Sequence, residues 1–307
     1  MNAARELLKD RTFARLAGFF LFVILFLTSC GPVKVTPWIE PTRLVPSPAT
    51  SGTATASSTP AAKATPAATP AAVCEAKEGS LETGVISTAL LDKPMRYTVF
   101  LPPCYTSDEQ RRYPALYLLH GQGFAEDQWI RIGAAATASQ LVTAGEIPPF
   151  IIVFPYDFSY KQPTEYKFEE VFVEQLIPLI DSSYRTRTDA SQRAIGGLSR
   201  GGAWALHIGA RHPELFGAIG GHSPSIFFVD KNALPRYLLA IPPAQIPRIW
   251  LDAGDRDSDY AIIQAFEDFL SKNNITHVWH GYVGWHDEKY WSAHVDEYLA
   301  WYAQGWK

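Results

Sequence analysis

The chain has 307 residues, of which 47% are hydrophobic and 13% aromatic, and its formal net charge at pH 7 is −4. This apolar content is ample for one folded core. The weakly acidic balance and the lack of a basic cluster exclude nucleic acid as an expected partner. The sequence has no residue spacing typical of a metal site and no cofactor motif, so neither a metal nor a cofactor is predicted.

Residues 1–29 are predicted to be a signal peptide. Basic residues, including Arg5 and Arg15, precede an unbroken apolar run over residues 19–27, which is the order of regions in an export signal. The small residues that follow, together with Cys30, resemble the lipobox of bacterial lipoproteins. This resemblance implies cleavage before Cys30, a lipid on its sulfur, and a protein anchored to the membrane of the bacterial cell envelope, outside the cytoplasm. An uncleaved N-terminal anchor helix is the alternative.

Residues 30–72 are predicted to be a disordered tether. They are dominated by proline, alanine, threonine and serine, with almost no large apolar side chain after Leu44. Such a composition buries too little apolar surface to offset the entropy of the chain. The remaining residues, 73–307, are predicted to form one catalytic domain.

Two cysteines, Cys74 and Cys104, lie in this predicted domain. Outside the cytoplasm they can form a disulfide between the start of the domain and the loop after its first predicted strand. Two free thiols are the alternative, because the sequence gives no distance between the two Cα atoms.

Short apolar segments alternate with helix-like segments along the domain. This alternation predicts an α/β fold with a mostly parallel central sheet and helices on both faces. Active sites of such folds lie at the carboxyl ends of the strands. The predicted strands are 96–101, 115–120, 150–154, 194–197, 218–221, 249–253 and 277–282, and the predicted helices are 134–144, 166–184, 201–211, 260–273 and 289–302.

Residues 197–201, Gly-Leu-Ser-Arg-Gly, have the Gly-x-Ser-x-Gly pattern of a nucleophile elbow. The pattern lies between a predicted strand and a predicted helix, as an elbow requires. A sharp turn there leaves no room for side chains two residues either side of the serine, and Gly197 and Gly201 occupy those positions. The sequence therefore predicts Ser199 as a nucleophile.

A serine hydroxyl needs a base to take its proton and an acid to orient that base. In this fold the chain order is serine, acid, histidine. Among the histidines that follow Ser199, His286 lies in a glycine-containing turn directly after the last predicted strand, and it is predicted to be the base. The loop after strand 249–253 supplies the acid, with Asp257 favoured by position and Asp255 second. Asp259 is expected to cap the next helix.

Two backbone N–H groups are expected to bind the oxyanion that forms during the reaction. One belongs to Arg200, which follows the nucleophile. The other is assigned to Gly121 or Gln122, in a glycine-containing turn after strand 115–120.

These motifs together resemble the esterase D-like branch of the α/β-hydrolases, which includes feruloyl esterases, S-formylglutathione hydrolase, enterochelin esterase and the antigen 85 mycolyltransferases. The likeness spans about residues 96–302 and includes residues 118–123, Trp129, and residues 197–202, 254–257 and 284–291. It implies an α/β-hydrolase fold and supports Ser199, Asp257 and His286 as the triad.

Arg200 departs from the family pattern, in which methionine commonly follows the serine. An arginine here either binds an acidic group of the substrate or pairs internally with Glu126 or Asp127, and we favour internal pairing. Trp129 and Trp285 are predicted at the mouth of the site, where they can stack on a phenolic acyl group or a sugar ring.

The sequence thus predicts an extracytoplasmic serine carboxylesterase that hydrolyses carbohydrate or phenolic esters through an acyl-enzyme. One alternative is an acyltransferase of the antigen 85 type, in which a sugar hydroxyl replaces water. The other is a surface lipoprotein that keeps the fold for binding and has no catalytic activity. No oligomeric state is predicted.

Overall fold

The computed structural model describes residues 74–306. The predicted signal peptide, Cys30 and the predicted tether lie outside these residues. The strands are β1 Ser80–Ile86, β2 Met95–Leu101, β3 Ala115–Leu119, β4 Ile151–Pro155, β5 Arg193–Leu198, β6 Ala218–His222, β7 Arg248–Gly254 and β8 His277–Tyr282.

All eight strands belong to one sheet in the order β1-β2-β4-β3-β5-β6-β7-β8. The pairs β1–β2 and β2–β4 are antiparallel, and every pair from β4 to β8 is parallel. The parallel strands therefore end at one edge of the sheet, where an active site of this architecture is expected.

Helices cover both faces of the sheet, as the alternation of segments predicts. They are α1 Gln128–Arg131, α2 Ala134–Thr143, α3 Phe168–Val171, α4 Ile177–Ser183, α5 Arg200–Arg211, α6 Asp230–Ala240, α7 Tyr260–Lys272, α8 Glu288–Ser292 and α9 Val295–Ala303. A π-helical turn, Phe172–Leu176, joins α3 to α4.

The core consists of two apolar layers, one on each face of the sheet. Strand β3 shows how the sequence produces them, because side chains alternate between the faces of a strand. Tyr117 and Leu119 belong to the layer beneath α5, whereas Leu116 and Leu118 belong to the layer beneath α2 and α9. Every residue of β3 is buried, which is why its sequence is continuously apolar.

The structure adds β1, α1 and α6 to the predicted elements, and it divides the predicted helices 166–184 and 289–302. Strand β1 is an edge strand whose residues are mostly exposed, so its sequence lacks the apolar pattern of the other strands. Helix α6 contains Pro235, which disrupts the helical pattern in the sequence. The predicted last helix is divided into α8 and α9.

Cys74 and Cys104 form a disulfide, with their Cα atoms 5.7 Å apart. The bond ties the segment before β1 to the loop after β2. The sequence leaves a disulfide and two free thiols as alternatives, and the structure has the disulfide.

We expect reduction of this disulfide to lower the free energy of unfolding by about 3 kcal/mol, because the bond closes a loop in the unfolded chain. Urea denaturation with and without reductant measures the difference, and the Cys74→Ser/Cys104→Ser double variant is the control for side reactions of the reductant. An unchanged unfolding midpoint in the double variant would contradict this expectation.

Within residues 74–306, no helix is both long and apolar enough to cross a membrane.

Candidate active site

Ser199 lies in the sharp turn between β5 and α5, with φ 53° and ψ −121°. Close backbone approaches require both flanking glycines. A Cβ atom on Gly197 would lie 2.3 Å from the carbonyl group of Gly201, and one on Gly201 would lie 2.1 Å from the carbonyl oxygen of Leu119. A side chain at either position would therefore force the turn apart, so the strained serine conformation depends on this spacing.

Ser199, His286 and Asp257 form a continuous chain of hydrogen bonds. The Oγ of Ser199 lies 2.8 Å from Nε2 of His286. Nδ1 of the same ring lies 2.9 Å from Oδ2 of Asp257. The three residues follow β5, β8 and β7, so the carboxyl ends of the parallel strands bring them together.

The loop after β7 carries three acids, and the structure separates their roles. Asp257 contacts His286, whereas the Oδ1 of Asp255 accepts the backbone N–H of Gly284 at 3.0 Å. Asp259 is at the N-terminal cap position of α7, but its side chain makes no capping hydrogen bond. Its Oδ2 instead accepts the hydroxyl of Ser225. The capping role expected for the Asp259 side chain is therefore wrong.

The environment of Asp257 favours its ionised form. Burial raises the pKa of this carboxyl, but the hydrogen bonds from His286 and from the backbone N–H of Asp259 lower it further than burial raises it. The net pKa lies below the ordinary value, so the group is a carboxylate when the histidine works as a base.

The contact between Asp257 and His286 shifts the pKa of His286 in the opposite direction. Burial lowers the pKa of the imidazole, and the hydrogen bond and charge of Asp257 raise it. The nearby charges of Asp259 and Asp287 raise it further, and the net pKa lies above the ordinary value.

We expect activity to fall on the acid side with a midpoint above pH ~6.5, the ordinary pKa of histidine. A general base must be neutral, and the raised pKa means that His286 takes up its proton at a higher pH than a free imidazole does. The pH profile of kcat/KM with a neutral ester measures this. An acid limb centred well below pH ~6 would contradict the arrangement.

Two N–H groups of the oxyanion turn, residues 121–123, are the candidate donors, and the structure distinguishes them. The N–H of Gly121 donates to Oε1 of Gln128 at 2.8 Å, so this group is already occupied. The N–H of Gln122 has no protein acceptor among residues 74–306. Of the two candidates, the structure therefore favours Gln122, together with the N–H of Arg200 at the start of α5.

His120 holds the oxyanion turn in place. Its Nε2 accepts the N–H of Asp157 at 2.9 Å, which places the proton on Nδ1, and Nδ1 donates to the carbonyl oxygen of Gly121 at 2.7 Å. Burial lowers the pKa of this histidine, so it remains neutral and keeps this tautomer.

Comparison with known proteins identifies the family. The Esterase family model, described as "Putative esterase", matches residues 87–302. The chain belongs to this esterase family. A serine, a histidine and an aspartate in this geometry can perform ester hydrolysis.

Individual relatives agree with this assignment. The chain is 32% identical over 199 residues to an endo-1,4-beta-xylanase/feruloyl esterase of Xylanibacter ruminicola, covering 61% of this chain and 25% of that protein. It is 35% identical over 133 residues to Esterase Rv1288 of Mycobacterium tuberculosis, covering 41% of this chain and 28% of that protein. The chain thus spans only about a quarter of the length of these two relatives.

Solved structures share the fold. A ferulic acid esterase superposes with a TM-score of 0.68 at 25% identity, covering 75% of this chain and 99% of that one. An Anaeromyces mucronatus ferulic acid esterase in complex with ferulic acid has a TM-score of 0.59 at 20% identity, covering 72% of this chain and 90% of that one. The chain therefore has the α/β-hydrolase fold.

A cavity of about 500 Å³ opens beside Ser199. Three of its side chains are apolar, those of Phe124, Leu198 and Trp291. Most of its polar rim lies on residues 286–289, which include the start of α8 and are called the histidine loop below. The lining residues are Gly121, Gln122, Phe124, Leu198, Ser199, His286, Asp287, Glu288, Lys289 and Trp291. A larger cavity of about 640 Å³, between β1 and α2, contains none of these residues.

Trp129 is not at the mouth of the site. Its side chain is buried, at 1% exposure, and its indole N–H donates to the carbonyl oxygen of Leu119 at 2.8 Å. Its ring packs edge-on against His222 and Tyr298. The prediction that Trp129 binds substrate is therefore wrong, because the residue supports the strand before the oxyanion turn from within the core.

Trp285 remains available at the surface beside the catalytic histidine. Its side chain is 57% exposed, and the guanidinium of Arg256 lies 5.6 Å from the centre of its ring. Phe124 lines the cavity. The sequence does not predict this position, because a single aromatic residue in a turn has no pattern that distinguishes substrate binding from packing.

Arg200 pairs inside the protein, although not with the predicted acids. Its side chain is buried, and its Nε donates to Oδ2 of Asp157 at 2.7 Å. Trp204 donates to the same oxygen at 2.8 Å. Glu126 and Asp127 instead pair with Arg96 and Arg131. The predicted partners are wrong because Asp157, just beyond the end of β4, comes close to the elbow only in the folded chain.

A second histidine–aspartate pair lies in the core behind the elbow. Nδ1 of His222 lies 2.8 Å from Oδ1 of Asp252, and both side chains are fully buried. The Nε2 of this histidine faces the hydroxyl of Tyr302 at 3.0 Å rather than a serine. The pair therefore lacks a nucleophile and joins β6, β7 and α9 within the core.

Asp257, Asp259 and His286 are a group that could hold a metal, with ligand atoms within 4.8 Å of one another. Both nitrogens of His286 already face Ser199 and Asp257. The Oδ1 of Asp257 also accepts the N–H of Asp259 at 2.8 Å. Because these atoms of His286 and Asp257 are already engaged, we assign these two residues to the triad.

Gln128 connects the oxyanion turn to the catalytic histidine loop. The side chain is fully buried, and its Nε2 donates to Oε1 of Glu288 at 3.0 Å, two residues after His286. Arg131 also pairs with Glu288, at 3.1 Å. One amide therefore holds Gly121 with its oxygen and the histidine loop with its nitrogen. The sequence does not predict this connecting role, because a single glutamine beside a tryptophan forms no recognisable motif.

We expect Gln128→Leu to lower kcat roughly 10- to 100-fold with little change in KM, because a misplaced oxyanion donor affects the transition state more than the bound ester. Steady-state kinetics with a nitrophenyl ester measures kcat and KM separately. Glu288→Gln is the matched control, since it keeps an acceptor for the amide and removes only the charge facing Arg131. A rise in KM alone for Gln128→Leu would contradict the positioning role.

Proposed function

We propose that this protein is a serine carboxylesterase that works through an acyl-enzyme on carbohydrate or phenolic esters. The observation that supports this best is the unbroken chain of hydrogen bonds from Ser199 through His286 to Asp257. This chain lies at the wall of a cavity and beside two backbone donors. A nucleophile, a base, an orienting acid and an oxyanion site are the complete set that acyl transfer requires.

The first half of the reaction forms the acyl-enzyme. The Oγ of Ser199 attacks the ester carbonyl carbon while its proton passes to Nε2 of His286. The carbonyl electrons move onto the oxygen, where the N–H groups of Gln122 and Arg200 stabilise the negative charge. The bond to the alcohol oxygen then breaks, and His286 gives the proton to that oxygen. Asp257 stays ionised throughout and stabilises the imidazolium.

The second half uses water. His286 removes a proton from the water as its oxygen attacks the acyl carbon, and the oxyanion site is used again. The bond to Ser199 then breaks, its Oγ takes the proton back from His286, and a carboxylic acid leaves.

Two observations support the substrate class. The cavity beside Ser199 has aromatic walls in Phe124 and Trp291, which suit a phenolic or other flat acyl group. A relative at 32% identity carries feruloyl esterase in its name. Trp285, exposed next to His286, offers a further stacking surface.

We also propose that the protein works outside the cytoplasm, held to the cell envelope by a lipid on Cys30. The lipobox-like sequence before Cys30 motivates this location. The Cys74–Cys104 disulfide supports it, because such bonds persist in oxidising compartments and are rare in the cytosol. Metabolic labelling of the full chain with a clickable fatty acid tests it, and loss of label in Cys30→Ala is the expected result. Equal labelling of the variant would overturn the anchor.

The reaction is tested by product analysis with feruloyl and acetyl sugar esters, with and without an excess of a sugar acceptor. We expect release of the free acid in both cases, and none from Ser199→Ala. Acyl groups found mainly on the acceptor would establish an acyltransferase instead. A protein that binds the esters without releasing acid or transferring the acyl group would be a binding lipoprotein.

A further inference from the structure

A hydroxyl and a carboxylate lie beside the nucleophile and have no part in the triad. The Oγ of Ser225, in the loop after β6, lies 3.4 Å from the Oγ of Ser199. Ser225 donates its proton to Oδ2 of Asp259 at 2.5 Å. Both residues are partly exposed, and the acid that orients His286 is Asp257 rather than Asp259.

The Ser225–Asp259 pair lies beside Ser199 but outside the lining of the cavity. The cavity is bordered by the oxyanion turn and the histidine loop, and neither Ser225 nor Asp259 lines it. An ester bound with its carbonyl carbon at Ser199 places its acyl and alcohol halves in different directions from that point. The apolar walls of the cavity suit the acyl half, which leaves the polar Ser225–Asp259 side for the alcohol half.

The pair has the chemistry to recognise a hydroxyl group. A carboxylate accepts several hydrogen bonds, and Ser225 occupies only one position on Asp259. Ser225 uses its proton in the hydrogen bond to Asp259, so the lone pairs of its Oγ can accept a hydrogen bond from another group. Hydrogen bonds to an ionised acceptor are stronger than neutral ones. A plain alkyl alcohol has no group that uses these acceptors.

We propose that Asp259 and Ser225 bind a hydroxyl of the alcohol half that lies next to the ester oxygen, and so select esters of polyols and sugars. This rests on the proposed esterase function and specifies which alcohols that site takes. Asp259 is then a specificity residue, since it contacts the substrate away from the bond that breaks. Its charge also acts on His286, and the experiment must separate the two effects.

The sharpest test compares ethyl ferulate with 2-hydroxyethyl ferulate, which differ by one hydroxyl next to the ester oxygen. The kcat/KM for both is measured for the wild type, Asp259→Ala, Asp259→Asn and Ser225→Ala. Intrinsic reactivity of the two esters cancels when the ratio of their kcat/KM values is compared between proteins. Asp268→Asn removes a charge from the exposed side of the same helix, α7, and is the control.

We expect the wild type to prefer the hydroxyethyl ester and Asp259→Ala to lower the ratio at least 10-fold. Asp259→Asn, which keeps an acceptor oxygen, should retain part of the preference, and Asp268→Asn should keep the wild-type ratio. Equal losses on both esters in Asp259→Ala would overturn the inference, because Asp259 would then act only through His286. A wild type without the preference would overturn it too, whereas a wild type that cleaves neither ester would overturn the proposed function as well.

Discussion

Replacing Ser199 with alanine is expected to lower kcat by about 10⁴- to 10⁶-fold on any ester that the wild type cleaves. The variant keeps the cavity, the oxyanion donors and the His286–Asp257 pair, but it lacks the oxygen that forms the acyl-enzyme. The residual rate should come from water attacking an ester bound near the oxyanion donors. The measurement is hydrolysis of a nitrophenyl ester under saturating conditions, with substrate binding followed separately.

Ser271→Ala is the matched control, because it removes an exposed hydroxyl on α7 and leaves the site untouched. It should hydrolyse the ester at the wild-type rate. A Ser199→Ala variant that retains more than about a tenth of the wild-type kcat would show that another group is the nucleophile.

Asp257→Asn is expected to lower kcat by about 10⁴-fold while leaving the fold intact. Asparagine can direct its NH₂ group at Nδ1 of His286, which favours the tautomer with the proton on Nε2. That nitrogen then faces the Oγ of Ser199 as a donor and cannot take its proton. The variant also loses the negative charge that raises the pKa of the imidazole, so the residual activity should have a shifted pH profile.

Asp255→Asn is a control in the same loop. Asp255 is exposed and contacts the backbone of Gly284, not His286. We expect Asp255→Asn to lower kcat less than about 10-fold, because it changes only a structural hydrogen bond and leaves the tautomer of His286 unaffected. If Asp255→Asn were the more damaging of the two substitutions, the assignment of the acid would be reversed.

The parts of the site that the sequence predicts are those that follow directly from strand ends. Ser199 has the elbow pattern, and His286 and Asp257 each follow a segment that the sequence predicts as a strand. Because parallel strands end at one edge of the sheet, residues far apart in the chain meet there. The fold class follows from the same alternation of segments.

The parts that could not be predicted depend on side-chain direction and on contacts between distant segments. Trp129 matches the family pattern, but whether its indole faces the cavity or the core is decided by its hydrogen bond to the strand carbonyl of Leu119. Asp157 meets Arg200 across the fold, and Gln128 takes the Gly121 donor by a contact that no local pattern indicates. Strand β1 was missed because backbone pairing to β2, rather than burial, holds it in the sheet.

The central claim is that Ser199 is a nucleophile activated by His286, and covalent labelling tests it most directly. The protein is treated with a fluorophosphonate and the adduct is located by peptide mass spectrometry, alongside His286→Ala and the control His280→Ala, which removes a histidine of β8 outside the triad. We predict a single adduct on Ser199 in the wild type and in His280→Ala, and none at the same exposure in His286→Ala. An unlabelled but folded wild type, or an adduct on another residue, would contradict the account.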